Sequence, residues 1–185
     1  YRDHIPLEEQ DDLILAYYTR LTSDDMQIRT AKVTDIRSIL ALSEQINRQH
    51  HLGAPMVFAP PSQSNADSEE YWLGLMIDPI GAFFVAVEQD VVLGFLAGKV
   101  TQNKGVSFIQ SHKVARVNTI VVNDQIQSKG VGRALMKSFN QWAQAQGAIE
   151  LRLEVMEFNQ QALSFYESLG METQSRIMSM RFEEI

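Results

Sequence analysis

Gln127-Ser-Lys-Gly130-Val-Gly132-Arg-Ala134 stands between an apolar run that ends at Val122 and an amphipathic stretch that reaches about Gln146. A glycine-bearing turn that opens a helix presents backbone N–H groups with no intrahelical acceptor. It also aims the positive end of the helix dipole at the same point, so a diphosphate is stabilised there. Gly130 and Gly132 lack a Cβ, which permits unusual φ values and a close approach of ligand to backbone. Lys129, Arg133 and Lys137 recur every four residues along one side of the helix start. In a chain of net charge -7 this is a local anion site. The plainer alternative is a solvated turn that carries two glycines.

Two nucleotide motifs fail at this stretch. A dinucleotide fingerprint needs a glycine where the chain has Leu135, and a P-loop needs Gly-Lys-Ser/Thr where it reads Gly132-Arg133-Ala134. The flanks are more informative. Arg116 to Val122 is rich in β-formers and precedes the loop by a few residues, and Val131, Leu135, Phe139 and Trp142 make a helical stripe that Gly147 ends. Ile149, Leu151, Leu153 and Val155 then alternate with Glu150, Arg152 and Glu154, which is strand period. Asn159 is a natural N-cap for a helix whose Ala162, Phe165, Tyr166 and Leu169 share a face and which Gly170 closes.

Gln127-x-x-Gly130-x-Gly132 resembles the acyl-CoA pyrophosphate loop, Q/R-x-x-G-x-G/A, of the GNAT acetyltransferase superfamily. Asn159 to Gly170 resembles the same family's N-x-x-A-x-x-F-Y-E-x-x-G-F block, with Met171 in place of the final aromatic. The resemblance covers about Gln27 to Met180. It implies an α/β (α+β) domain of the GNAT-type acyl-CoA N-acyltransferase fold: a mixed, mostly antiparallel sheet, splayed parallel fourth and fifth strands, and helices on both faces.

Composition agrees with one domain that buries a full core, at 185 residues, 45% hydrophobic and 21% charged. The absence of cysteine excludes disulfides, thiolate metal sites and a cysteine acyl-enzyme. No uninterrupted apolar run approaches the roughly 18 residues of a membrane span. The acidic balance argues against nucleic-acid binding, which rests on clustered Lys and Arg. No membrane partner and a cytoplasmic location are therefore expected.

Along the chain, Leu13, Ile14, Tyr17, Tyr18 and Leu21 pattern a helix within an N-terminal extension, residues 1–25, ahead of a domain at 26–185. Met26 opens the first strand. Ile36, Ile39, Leu40, Ser43 and Ile46 mark a helix from Val33 to about His50 with Thr34 as N-cap. Pro55, Pro60 and Pro61 mark a loop, and a helix follows over about Asp67–Asp78. Strands at Ala82–Val87 and Val91–Thr101 join through Glu88-Gln89-Asp90 as a hairpin, and a fourth strand begins near Ser107. The expected order after the leading helix is β-α-α-β-β-β-α-β-α-β.

Acyl transfer from a thioester to an amine requires positioning, removal of a proton from the ammonium, polarisation of the carbonyl and protonation of the thiolate. The resemblance assigns acetyl-CoA as cosubstrate to Gln127, Ser128, Lys129, Gly130, Val131, Gly132 and Arg133 for the pyrophosphate. Backbone groups of Ile120, Val121 and Val122 would take the pantetheine arm, with Asn159 and Phe165 beside the cofactor. Helix periodicity alone favours packing for Tyr166, on the face of Ala162 and Leu169, and its match to the family position of the general acid reverses that preference. Relatives often carry a carboxylate base on the fourth strand, where this chain has Arg116, Val117, Asn118 and Thr119. Three routes stay open: a water chain held by Asn118 and Thr119, which is preferred; Glu154 as base, against an ion-paired surface role; or an amine that arrives neutral. His50 and His51, with Phe58, are candidates to contact the acceptor, against the reading that two histidines at a helix C-terminus face water. No spacing of His, Asp and Glu suggests a metal.

The leading expectation is an N-acetyltransferase that acts by direct attack in a ternary complex on a small-molecule or protein amine. A homodimer is an open assembly. The alternatives are a CoA-binding regulatory or non-catalytic protein of the same fold, motivated by the missing carboxylate, and an interaction module whose loop binds no nucleotide.

Overall fold

The computed structural model describes residues 26–61, 66–102, 106–126 and 129–182. The helix expected over residues 7–21, and Gln127 and Ser128 of the loop, lie outside the described residues. The chain forms two compact units, Tyr1–Glu154 and Val155–Ile185.

The first unit is built on a five-stranded sheet in which neighbours in sequence are neighbours in space. Its strands are β1 (Gln27–Thr30), β2 (Gly81–Glu88), β3 (Val91–Gln102), β4 (Lys113–Val122) and β5 (Glu150–Leu153). All pairs are antiparallel except β4 and β5, which are parallel. The β2–β3 hairpin turns on Gln89 and Asp90, both at positive φ (47° and 65°), the primed-turn geometry that matches strand twist.

Helices α1 (Ile36–Gly53) and α2 (Ala66–Met76) cover one face. There Ile39, Leu42 and Trp72 pack with Phe83, Val85, Phe95, Ala97 and Val121. The Trp72 ring meets Phe95 edge-on at 5.1 Å. Helix α3 (Val131–Ala145) lies on the opposite face and buries Val131, Leu135, Met136, Phe139 and Ala143. It sits close to the sheet because Gly98 has no side chain. A Cβ there would lie 2.5 Å from Phe139 Cζ and 2.6 Å from the Arg116 carbonyl oxygen. The expected stripe thus holds at Val131, Leu135 and Phe139, while Trp142 is only half-buried. Gly147, at φ +84°, ends the helix as expected.

Two element boundaries differ from the sequence reading. The fourth strand starts at Lys113, not near Ser107, because residues 107–112 form a turn and coil with no ladder partner. Helix α1 is entered through a short 3-10 turn, Val33–Asp35, and Asp35 replaces Thr34 as the organising residue. The Asp35 carboxylate is buried and accepts from Arg29 at 2.7 and 2.9 Å and from the Lys32 amide at 2.7 Å. These bonds tie β1 to α1.

Hydrogen bonds from Arg29 hold the Asp35 carboxyl below its ordinary value of 3.8, against the opposing effect of burial. A depressed folded pKa means that the stabilisation is fully present above the unfolded value and is lost as pH falls through the folded one. Asp35→Asn is expected to lower stability by about 1.5–3 kcal/mol near neutral pH, the range for hydrogen bonds to charged groups. Denaturant melts should then show the gap between variant and wild type closing below pH 3.8. A gap that stays constant into acid would contradict this role.

The second unit holds α4 (Gln160–Glu167). Asn159 caps it, with Oδ1 accepting from the Ala162 amide at 3.1 Å. The amides of Leu169 and Met171 both close on the Tyr166 carbonyl at 3.0 and 3.1 Å, and Gly170 takes the left-handed conformation at φ +83°. The final strand expected after this helix is absent among the described residues. Residues 171–182 have no regular structure, and Ile177, Met178, Met180 and Phe182 are exposed. Alternating side chains define a strand only where a neighbouring edge takes up the backbone, and no ladder includes these residues.

Candidate functional site

Along β4 the sheet opens. Val114–Val117 pair with Glu150–Leu153, and there the β4–β5 ladder ends. Asn118 to Val122 continue against β3 alone. A shift in the β3–β4 register places Val117 opposite Gly98 but Thr119 opposite Ala97, so Asn118 is an extra residue on β4. The bulge reverses the alternation. Val117 shares the α3 face with Gly98, whereas Thr119 shares the face of Ala97, which packs with α1 and α2.

Backbone groups alternate sides along a strand, so their direction follows from one bond. The Asn123 amide donates to Leu93 O in β3 at 2.9 Å. Val121, two residues back, also directs its backbone to β3, and its side chain is buried in the core. Ile120 and Val122 direct theirs to the open side. Of the edge residues expected to hold the pantetheine arm, Val121 is therefore corrected: its amide and carbonyl belong to the β3 ladder.

Beyond β4, Asp124–Ile126 makes a 3-10 turn whose Ile126 is buried. The Asn123 side chain steadies it by accepting from the Gln125 amide at 3.0 Å. Gly130 then begins α3 from the left-handed region, at φ +83°. The first helical bond runs from the Ala134 amide to Gly130 O at 2.9 Å, so the amides of Val131 and Gly132 precede it and have no intrahelical acceptor. Gly132 is helical and does not take the unusual φ that the sequence allowed it. Among the described residues nothing lies within 4 Å of where a Gly130 Cβ would project. Lys129, Arg133 and Lys137 are exposed at this helix start.

The residues proposed to move the proton are distributed along this region. Asn118 is exposed at the bulge and Thr119 half-buried. Glu154 is exposed immediately after β5. Arg152 does not pair with it. Instead Arg152 donates to Glu150 at 2.6 and 2.8 Å, and His112 Nε2 lies 2.9 Å from the same carboxylate.

At the C-terminal end of α1 the histidines do not simply face water. The His50 ring stacks on Phe58 at 4.6 Å, and burial lowers its pKa below 6.5, favouring the neutral ring. His51 Nδ1–H donates to Phe58 O at 2.8 Å, which fixes that tautomer. The two histidines and Phe58 form one cluster that anchors the loop after α1. Trp72 belongs to the core, whereas Tyr71 is exposed.

In the second unit, Asn159 spends its side-chain oxygen on the helix cap. The Phe165 and Tyr166 rings lie 5.3 Å apart, and burial pushes the Tyr166 phenol up to about 12.

Gln45 is the residue that sequence reasoning missed. From α1 it donates through Nε2 to Val122 O at 3.1 Å and accepts through Oε1 from the Asp124 amide at 3.2 Å. Its partners are 77 and 79 positions away, and no local pattern signals such a bond.

A strand edge released from its parallel neighbour and leading into a positively polarised helix start is the architecture of an acyl-CoA transferase fold. The model of the acetyltransferase (GNAT) family matches residues 46–171, and the chain belongs to that family. A variant of the BH1408 protein from Bacillus halodurans has the same fold, with TM-score 0.79 and 21% identity over 85% of this chain and 99% of that one. The aminoglycoside N-acetyltransferase AAC(6')-Iy in complex with CoA aligns with TM-score 0.65 at 20% identity, over 85% of this chain and 94% of that one. The same enzyme with the bisubstrate analog CoA-S-monomethyl-acetylneamine gives TM-score 0.66 at 19% identity, over 85% and 98%. No curated protein matches the chain. Among the described residues there is no cluster of metal-ligating side chains, and no helix long and apolar enough to cross a membrane.

Proposed function

We propose that this protein is an acetyl-CoA-dependent N-acetyltransferase that transfers the acetyl group directly to an amine in a ternary complex. The observation that carries the reading is the open edge Asn118–Val122 running into a helix that starts at Gly130 with a positive φ. These groups fit the cosubstrate. Ile120 offers a backbone donor and acceptor, and Val122 its amide, to an extended amide-bearing arm, and the Val131 and Gly132 amides offer donors to a diphosphate. Lys129 and Arg133 add positive charge at the same helix start.

The amine nitrogen attacks the thioester carbonyl carbon, the C–S bond breaks, and the thiolate takes a proton. The Ile120 amide polarises the carbonyl. Asn118 and Thr119 hold water that accepts the proton of the ammonium, with exposed Glu154 as the competing base. Tyr166 protonates the leaving thiolate, assigned on its motif position and on a phenol that burial keeps protonated. Asn159 and Phe165 flank the cosubstrate, as the family pattern implies.

His50, His51 and Phe58 shape the acceptor side. The acceptor is a small-molecule or protein amine, and the net charge of -7 favours cationic ones. A cytoplasmic location, with no nucleic-acid or membrane partner, belongs to the same proposal, as does a homodimer. The second reading, a CoA-binding protein without turnover, is motivated by the absence of a carboxylate in Arg116–Thr119.

Thiol release from acetyl-CoA, measured over a panel of aminoglycosides, polyamines, amino acids and lysine peptides, separates the two. At least one amine is expected to raise release well above hydrolysis. Tight binding with no acceleration by any class would favour the non-catalytic reading.

A further inference from the structure

We infer that Gln45 is a positioning residue for the cosubstrate, because its carboxamide stands in for a missing strand at the far end of the open edge. The inference rests on the acetyl-CoA reading above and names the residue that sets the geometry of that site.

Val122 O and the Asp124 amide flank Asn123, whose own amide is committed to β3. On the side away from β3 they present an acceptor and a donor in the spacing that the N–H and C=O of one residue on a parallel adjacent strand would satisfy. Among the described residues no strand occupies that place, since β5 pairs only as far as Val117. Gln45 supplies both backbone groups of the missing residue, a donor to Val122 O at 3.1 Å and an acceptor for the Asp124 amide at 3.2 Å.

Two consequences follow. The free edge becomes a bounded slot, closed at one end by β5 and at the other by Gln45, with Val122 O already engaged. An extended arm then has one register, on Ile120 and the Val122 amide. Gln45 also clamps the chain where it leaves the sheet, immediately before the 3-10 turn that leads to Gly130. The direction in which the loop meets the start of α3 is thereby fixed from α1. Val122 is half-buried and Asp124 exposed, so water can replace the lost partners with little effect on folding. The effect falls on ligand geometry instead.

Gln45→Met keeps length and bulk but neither hydrogen bond, while Gln45→Glu keeps the acceptor for the Asp124 amide and loses the donor to Val122 O. Calorimetry with acetyl-CoA on the full chain should show Gln45→Met weakened about tenfold or more, Gln45→Glu between it and wild type, and melting temperatures within a few degrees. An affinity for Gln45→Met within about twofold of wild type would overturn the inference while leaving the acetyltransferase reading intact. Failure of the unaltered chain to bind acetyl-CoA would overturn both. Should Gln45→Met not fold, Gln45→Glu supplies the same comparison. Hydrogen exchange of the unaltered protein gives an independent check: the exposed Asp124 amide is expected to be protected without ligand, and rapid exchange there would remove the clamp.

Discussion

Tyr166→Phe is expected to lower kcat by about 10²- to 10⁴-fold, the usual worth of a positioned general acid, while leaving acetyl-CoA affinity nearly unchanged. Phenylalanine fills the same space, so the variant removes a proton donor and little else. The Tyr166 phenol, pushed up to about 12 by burial, is protonated throughout the range in which enzymes are assayed. A raised tyrosine pKa favours the neutral donor form. The rate should therefore rise with pH as the amine loses its proton, with no decline due to Tyr166 until pH approaches about 12. Steady-state kinetics with an amine identified in the thiol-release panel measure both features. A kcat within about threefold of wild type would return Tyr166 to a packing role.

The second large effect is expected at Gly130. Its φ of +83° costs an L-residue backbone strain, and a valine side chain would project into space that the described residues leave open. That space adjoins the start of α3, so beyond the backbone strain the side chain competes with the ligand proposed for the Val131 and Gly132 amides. Gly130→Val should weaken acetyl-CoA binding by about 30-fold or more, from a disturbance of roughly 2 kcal/mol at the helix start. Gly147→Val is the matched control. It has the same backbone conformation, at φ +84°, and lies at the other end of α3. It should cost similar stability with no loss of affinity. Equal affinities in the two variants would contradict the pyrophosphate role of the loop.

The sequence is most readable where a local rule meets a local partner. Val131, Leu135 and Phe139 face the sheet because their spacing matches the helix, Asn159 caps the residue three positions on, and Gly147 and Gly170 end helices by a conformation that side chains disfavour. It is less readable where the deciding partner is remote. The bulge at Asn118 arises from how β4 registers against β3, and Gly98 admits Phe139 across the sheet. Neither relation exists in the order of residues alone. Thr34 fits a cap by type, but the residue before α1 is Asp35, whose carboxylate bonds Arg29 on β1 and the Lys32 amide and caps no amide of the helix. Gln45 lies within an ordinary amphipathic helix, and only the fold brings it to the end of β4. The same limit applies to the proposed chemistry: cofactor groups on backbone could be sought from a motif, whereas the acceptor side depends on loops that His50, His51 and Phe58 organise.

The claim at the centre is that uncommitted backbone amides hold the cosubstrate. Amide hydrogen exchange, residue by residue, with and without saturating acetyl-CoA tests it most directly. Slowed exchange at Ile120, Val131 and Gly132, with Val121 unchanged because β3 already protects it, is the predicted result. Binding that leaves Ile120, Val131 and Gly132 exchanging as in the free protein would contradict the account.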